Sequence, residues 1–166
     1  QDKGAFYEKK EQLPMYGLYR LEKGQKRGNE NIRQVFALSL DFDGGCDLED
    51  IEGVFGDWLF AAHTTWSHGQ SGSRGRLVLP LSRGVTTREY GVLIRWAMER
   101  VEEYGLSPDP ACKDAARGWF LPCSGKSEEY AYVYRELGEA PPVDVDGLLG
   151  GTAPAPEPEE GEKGIE

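Results

Sequence analysis

Two aspartates in the first third of the chain, Asp41 and Asp43, have the spacing of a metal-binding pair. They end residues 35–43, V-F-A-L-S-L-D-F-D, where large apolar residues alternate with smaller or polar ones at the period of a strand. Side chains alternate across a strand, so both carboxylates lie on one face, about 7 Å apart. Like charges at that separation repel unless a cation lies between them, and divalent ions prefer oxygen ligands. The stretch predicts a metal site on an open sheet face.

A predicted hairpin follows and carries groups that could bind phosphate. Residues 59–68 and 74–81 have strand patterns, and the glycine-rich residues 69–73 join them. Arg74 and Arg76 share one face of the second strand, and guanidinium groups bind phosphate oxygens in pairs. If the first strand runs through residue 68, His63 and Ser67 share a face and His68 lies on the other.

A third carboxylate lies farther along the chain. Asp109 stands between Pro108 and Pro110, in a stiff extended or turn segment, and Asp114 competes with it for the same role. Residues 118–121 and 129–137 are predicted to be short strands. Carboxylates that hold metal ions, together with arginines that hold a triphosphate, suit nucleotidyl transfer, where catalysis is mainly positioning and charge neutralisation.

Two helices are predicted to cover the apolar face of the first strand. One covers residues 47–58, where apolar residues recur at helical spacing after an acidic first turn. The other begins at a capping box, with Thr86 as N-cap and Glu89 three residues later, and stops at Gly105. They would pack on the large apolar residues of the strand, which are Phe36, Leu38, Leu40 and Phe42.

Composition narrows the class of protein. The 166 residues are 39% apolar, which suits one domain with a core. No stretch approaches the roughly 20 apolar residues of a membrane span, so we expect no membrane association. The three cysteines, Cys46, Cys112 and Cys123, form no close pair, which predicts reduced thiols and a cytoplasmic location.

The net charge of −10 argues against nucleic acid only until its distribution is considered. Eight acidic residues and one lysine lie from residue 139 onward, which leaves the rest of the chain near balance, at −3. From residue 140 onward Pro, Gly, Ala and Glu dominate. We expect a catalytic domain over residues 1–140 and an acidic linker or disordered tail over residues 141–166, leading to a helicase or accessory domain.

In chain order, these segments resemble the archaeo-eukaryotic primase superfamily, most closely the primase-polymerase domains of replication proteins from plasmids, phages and integrated elements. The resemblance covers about residues 17–137. It rests on D-F-D at 41–43, T-T-W-S-H at 64–68, R-G-R-L-V-L-P-L at 74–81, and D-P-A-C-K-D-A-A-R-G-W-F-L-P at 109–122.

The resemblance implies a DNA primase-polymerase that makes and extends primers on a single-stranded DNA template. It would use nucleoside triphosphates and two Mg²⁺ or Mn²⁺ ions. The implied catalytic metal ligands are Asp41, Asp43 and Asp109. The implied nucleotide contacts are Ser67, His68, Arg74, Arg76 and Arg117, and Lys126 lies where the third motif continues.

The resemblance also implies a fold. We expect an α/β (α+β) domain of two layers, in which a mixed, mostly antiparallel sheet carries helices on one face. Its topology would be related to the RNA-recognition motif, with Asp41 and Asp43 on the face opposite the helices.

Several alternatives stay open at this point. The second motif is usually Ser-x-His, whereas Ser67 and His68 are adjacent here, so His63 is the alternative histidine. Asp109 is favoured over Asp114 by its spacing to residues 120–122. Two other functions fit the same residues: a metal-dependent nuclease, and a non-catalytic nucleic-acid-binding module of a replication protein.

Overall fold

Within the residues that the structure describes, the chain forms seven strands and three α-helices. The computed structural model describes residues 9–69, 72–122, 131–135 and 138–150. The strands are β1 (Met15–Tyr16), β2 (Tyr19–Leu21), β3 (Ile32–Phe42), β4 (Ala61–Thr64), β5 (Gly75–Val85), β6 (Trp119–Phe120) and β7 (Tyr132–Tyr134). The α-helices are α1 (Leu48–Phe55), α2 (Thr87–Glu103) and α3 (Val145–Leu149).

The strands form two antiparallel sheets. The larger has the order β2-β3-β5-β4-β7, and β1 pairs with β6 in the smaller. β4 and β5 form the predicted hairpin, with Ala61 opposite Val78 and Thr64 opposite Gly75. The predicted two-layer architecture, with a mostly antiparallel sheet, is confirmed.

α2 is the long helix that the capping box predicts. Thr86 Oγ1 accepts a hydrogen bond from Glu89 N at 3.2 Å, and the Glu89 carboxylate accepts one from Thr86 N at 2.8 Å. The helix buries one stripe of side chains, which are Tyr90, Leu93, Ile94, Ala97, Met98 and Val101. In the described part of the chain, neither α2 nor any other helix has the length and apolar character to cross a membrane.

Both long helices pack on the same face of the large sheet. α1 and α2 bury their apolar stripes in one core with Leu38, Leu40 and Phe42 of β3. Gly75 in β5 faces α1, because a Cβ there would meet Leu48 and Ile51 at 3.5 and 3.7 Å. Side chains alternate along the strand, so the next residue of β5 faces away from the helices.

One prediction for β3 is wrong, because Phe36 is not part of the core. Phe36 is exposed, and Val35 is buried in its place. The pairing of β3 with β5 shifts register between Val35 and Ala37, which reverses the alternation at that point. The Phe36 ring lies over Gly84, where a Cβ would meet it at 3.1 Å. Period-2 alternation alone cannot reveal such a bulge.

The packed part of the chain continues past residue 140, where the sequence placed the end of the domain. Val143 and Val145 are fully buried. Val143 N donates to Pro80 O, and Ser82 N donates to Val143 O, both at 2.9 Å. These hydrogen bonds and the burial of the valines attach the segment to the middle of β5. Residues 151–166, which hold most of the predicted tail, lie outside the described residues.

Candidate active site

Four residues form a row across the large sheet, on the face opposite α1. Asp41 in β3 lies opposite Arg76 in β5, Arg76 lies opposite His63 in β4, and His63 lies opposite Tyr132 in β7. Directly opposed residues of antiparallel strands share a face. The cleft above the first three residues of the row is lined by residues that include Asp41, Asp43, His63, Ser67, Arg74 and Arg76. Tyr132 lines an adjoining pocket beside α1.

Asp41 is held by two arginines. Arg76 donates from Nε to Oδ1 at 2.6 Å and from Nη2 to Oδ2 at 3.1 Å. Arg117 Nη2 donates to the same Oδ2 at 3.1 Å. The side chains of Asp41 and Arg76 are only 13% and 8% exposed. The cation that two neighbouring carboxylates require is therefore an arginine at Asp41.

Asp109 joins this cluster through Arg117. Its Oδ2 lies 2.8 Å from Arg117 Nη2, and its backbone N donates to Asp41 O at 2.8 Å. Its Oδ1 accepts from Ala111 N at 2.9 Å and so caps the short 3-10 helix Pro110–Lys113. One guanidinium group thus bridges two of the three predicted metal ligands.

The segment that carries Asp109 is tied to the core. The Tyr90 hydroxyl, on α2, donates to Cys112 O at 2.7 Å. The side chain of Asp114 has a different partner, because its Oδ1 accepts a hydrogen bond from Asn29 Nδ2 at 2.8 Å. Of the two candidates for the third carboxylate, Asp109 is therefore the one beside the row.

Asp43 is the exposed member of the aspartate pair. Its side chain is 70% exposed, and its Oδ1 accepts from Arg74 Nη1 at 2.8 Å. Asp41 and Asp43 line the same cleft, as their spacing predicts. An ion pair this exposed is weak, so a ligand that enters the cleft displaces Arg74 from Asp43 more easily than Arg76 from Asp41.

The two histidines occupy different places. β4 ends at Thr64, earlier than the predicted strand, so His68 lies in the following turn. His63 and Ser67 line the cleft, whereas His68 lines an adjoining pocket beside α1. Arg74 N donates to His68 Nδ1 at 3.0 Å. The structure thus places His63, the alternative histidine, next to Arg76.

Three side-chain polar atoms in the described residues are buried without a hydrogen-bond partner: His63 Nε2, Arg74 Nε and Arg117 Nη1. His63 belongs to the row, and Arg74 and Arg117 are arginines beside it that pair with Asp43 and Asp109. Two of them are cationic N–H donors, and a buried donor without an acceptor costs free energy. An anion that carries several oxygens would satisfy both arginines.

The surroundings lower the pKa values of two residues at the site, Asp109 and His63. Burial would raise the pKa of Asp109, but the Ala111 N–H and the Arg117 guanidinium outweigh it and hold that pKa below its ordinary value. Burial lowers the pKa of His63; the hydrogen bond to Thr64 O opposes this effect, and Arg76 adds to it. At neutral pH the site therefore holds an ionised Asp109 and a neutral His63.

The carboxylates have the chemistry of a Mg²⁺ or Mn²⁺ site but not the arrangement of one. Among the described residues, no three Asp, Glu, His or Cys side chains lie close enough together to hold an ion. Arginines pair with these carboxylates instead, and they engage both oxygens of Asp41 and one of Asp109. A divalent ion repels a guanidinium, so an ion at Asp41 requires Arg76 and Arg117 to turn toward an anionic ligand.

An aromatic residue that sequence reasoning missed supports both arginines. The Trp119 ring centroid lies 4.8 Å from the Arg76 guanidinium carbon and 4.7 Å from that of Arg117. Arg76 Nη1 also donates to Phe120 O at 2.7 Å. β6 is held here by pairing with β1, so the small sheet partly covers a face that we expected to be open. The W-F pair indicates a strand but not which arginines it contacts. Lys126, the remaining predicted contact, lies outside the described residues.

Comparison with known families places the chain in one of them. Residues 17–152 match the model described as the VapE N-terminal domain. The chain belongs to this family. The match spans the whole row and also includes α3, which the boundary expected at residue 140 left out. A comparison with curated proteins finds no match.

The fold of this family member is also that of a solved primase-polymerase domain. The chain is similar to the AEP domain of the primase-polymerase of cyanophage S-2L, with a TM-score of 0.54 and 15% sequence identity. The likeness covers 80% of this chain and 68% of that one. The resemblance to the archaeo-eukaryotic primase superfamily is thereby confirmed at the level of the fold.

Proposed function

We propose that this domain is a primase-polymerase domain that binds nucleoside triphosphates and joins nucleotides on a single-stranded DNA template. The observation that best supports the proposal is the pair of buried, unpartnered donors, Arg74 Nε and Arg117 Nη1, beside three carboxylates. A triphosphate supplies the oxygens that these donors lack, and guanidinium groups bind phosphate in pairs.

Charge balance favours the same ligand. Asp41, Asp43 and Asp109 face Arg74, Arg76 and Arg117, so the cluster is close to neutral as it stands. Two divalent ions carry about as much positive charge as a triphosphate carries negative charge. The site could therefore accept both together without an uncompensated charge: the arginines would turn from carboxylate to phosphate, and the carboxylates would turn to the ions.

The residues then have distinct roles. Asp41, Asp43 and Asp109 would hold Mg²⁺ or Mn²⁺, which when bound lowers the pKa of an attacking hydroxyl and neutralises phosphate charge. Arg74 and Arg117 would hold the triphosphate. Trp119 would keep Arg117 in place, because the ring contacts its guanidinium group.

Incorporation of labelled nucleotide into a primed single-stranded DNA template tests the proposal. The wild-type domain should extend the primer with Mg²⁺ or Mn²⁺. Asp43→Asn should lower the rate about 100-fold or more, because it removes an exposed ligand while leaving the buried pairs intact. Asp57→Asn, an exposed aspartate in the turn after α1, is the matched control and should keep the wild-type rate.

One observation favours a second candidate, a non-catalytic nucleic-acid-binding module. Both oxygens of Asp41 are already occupied by arginines. If the wild-type domain binds DNA with the same affinity in EDTA and in Mg²⁺, and incorporates no nucleotide, this candidate is correct. Degradation of the primer without extension would instead indicate a metal-dependent nuclease.

A further inference from the structure

We propose that His63 and Tyr132 form the nucleoside subsite of this domain: His63 Nε2 accepts a hydrogen bond from a sugar hydroxyl, and the Tyr132 ring stacks on the base. The inference rests on the proposed function, because it takes a nucleoside triphosphate as the ligand. It assigns contacts to the sugar and the base of that ligand, which are the parts that the arginines do not contact.

The protonation of His63 follows from its neighbour. Nδ1 lies 2.7 Å from Thr64 O, and a carbonyl oxygen can only accept, so Nδ1 carries the proton. In a neutral imidazole the other nitrogen, Nε2, is then an acceptor. His63 is only 6% exposed, lines the cleft, and Nε2 has no hydrogen-bond partner.

An acceptor nitrogen selects the ligand group that it can bind. A phosphate oxygen at neutral pH is itself an acceptor and gains nothing from Nε2 of His63. A sugar hydroxyl is a donor and satisfies it. Arg76, the cross-strand neighbour of His63, carries donors instead; they reach Asp41 and Phe120 O in this structure, and those on Asp41 would turn to phosphate with the other arginines. The two adjacent positions therefore suit adjacent parts of one nucleotide, phosphate at Arg76 and sugar at His63.

Tyr132 extends this order by one more strand, into the pocket beside α1 that adjoins the cleft at Arg74. It lies opposite His63 in the edge strand β7, about 10 Å from Arg76 at the usual strand spacing of about 4.8 Å. The residue is 65% exposed, and its ring is stacked with that of Tyr134 at a centroid distance of 6.0 Å and 19° between planes. Exposed aromatic rings of this kind stack on nucleobases. Phosphate, sugar and base thus follow Arg76, His63 and Tyr132.

Nucleotide affinity, measured by calorimetry with Mg²⁺ and without template, tests the subsite. Three ligands are compared, a ribo-, a deoxy- and a dideoxynucleoside triphosphate, each of which has one sugar hydroxyl fewer than the one before. The affinity of the wild-type domain should fall about tenfold at one or both of these steps, which we call the hydroxyl step. His63→Ala should abolish that step by weakening only the hydroxyl-bearing ligand, and His63→Gln, which keeps an acceptor, should restore part of it.

Variants of Tyr132 test the base-stacking part of the proposal. Tyr132→Ala should weaken all the triphosphates by about tenfold, and Tyr132→Phe should leave the affinity unchanged. The control is Tyr104→Ala, an exposed tyrosine at the end of α2, which should bind as the wild type does.

The possible results distinguish a failure of the proposed nucleoside subsite from a failure of the proposed function. If the wild type binds triphosphates but His63→Ala keeps the same hydroxyl step, the subsite is refuted and the proposed function stands. If the wild type binds no triphosphate, both are refuted. Should His63→Ala fail to fold, the nitrogen NMR shift of His63 Nε2 in the wild type decides: it must move when the hydroxyl-bearing triphosphate is added, and an unchanged shift overturns the assignment.

Discussion

Replacing Asp41 with asparagine tests whether arginines neutralise this carboxylate in the metal-free protein. Asp41→Asn keeps the shape of the side chain and removes its charge. Arg76, whose side chain is 8% exposed, then loses its charged partner and one of the two hydrogen bonds to it, whereas Arg117 keeps Asp109.

The expected loss of stability is large. Removing one partner of a buried ion pair costs about 3–5 kcal/mol, because the remaining charge stays buried. The amide oxygen of the variant still accepts one hydrogen bond, so we expect about 3 kcal/mol. Asp43→Asn is the matched control: its pair with Arg74 is exposed, and the change should be below about 1 kcal/mol.

Urea unfolding in EDTA at pH 7, followed by tryptophan fluorescence, measures the difference. A loss of about 3 kcal/mol should lower the urea midpoint of Asp41→Asn by about 1 M or more. Adding Arg76→Met to Asp41→Asn should recover part of the loss, since the unpaired buried charge is then removed as well.

A specific result would refute the reasoning. If Asp41→Asn unfolds at the same urea concentration as the wild type, or at a higher one, Asp41 is not paired with Arg76 in solution. The carboxylates would then repel each other, as they do in a metal site without its ion.

Three further predictions concern stability. Because folding lowers the pKa of His63, the unfolded chain binds more protons just below the ordinary value of 6.5, so stability should fall as pH drops through that range. His63→Gln should lack this part of the decline between pH 7.5 and 5.5 in urea titrations. Tyr90→Phe leaves the buried Cys112 carbonyl without its donor, and thermal unfolding should report a loss of about 1–2 kcal/mol. Val143→Ala removes buried methyl groups and should cost about 2 kcal/mol in urea, whereas Leu148→Ala, at an exposed position of the same segment, should cost less than about 0.5 kcal/mol; equal effects would contradict the packing of this segment.

Features encoded by neighbouring residues were predictable from the sequence. The capping box at Thr86 and the apolar stripe that follows define α2, because both depend on contacts within a few residues. The placement of Asp41 and Asp43 on one face follows from strand alternation in the same way. The ordered motifs around them predicted the superfamily fold.

Features that depend on register between distant strands were not predictable. Phe36 is exposed because β5 bulges opposite it, and His63 joins the cleft because it pairs across from Arg76. Neither fact is present in the local pattern, since a shift of one residue in pairing moves a side chain to the other face.

The chain by itself determined which charged groups the domain contains, and the tertiary structure decided which of them meet. The sequence predicts that two close carboxylates require a cation, but it does not show which group provides that cation. Folding brings Arg76 from the adjacent strand and Arg117 from a distant loop to Asp41, with Trp119 packed against both arginines. Coulomb energy depends on distance and burial, and both are set only when the strands and the loop come together.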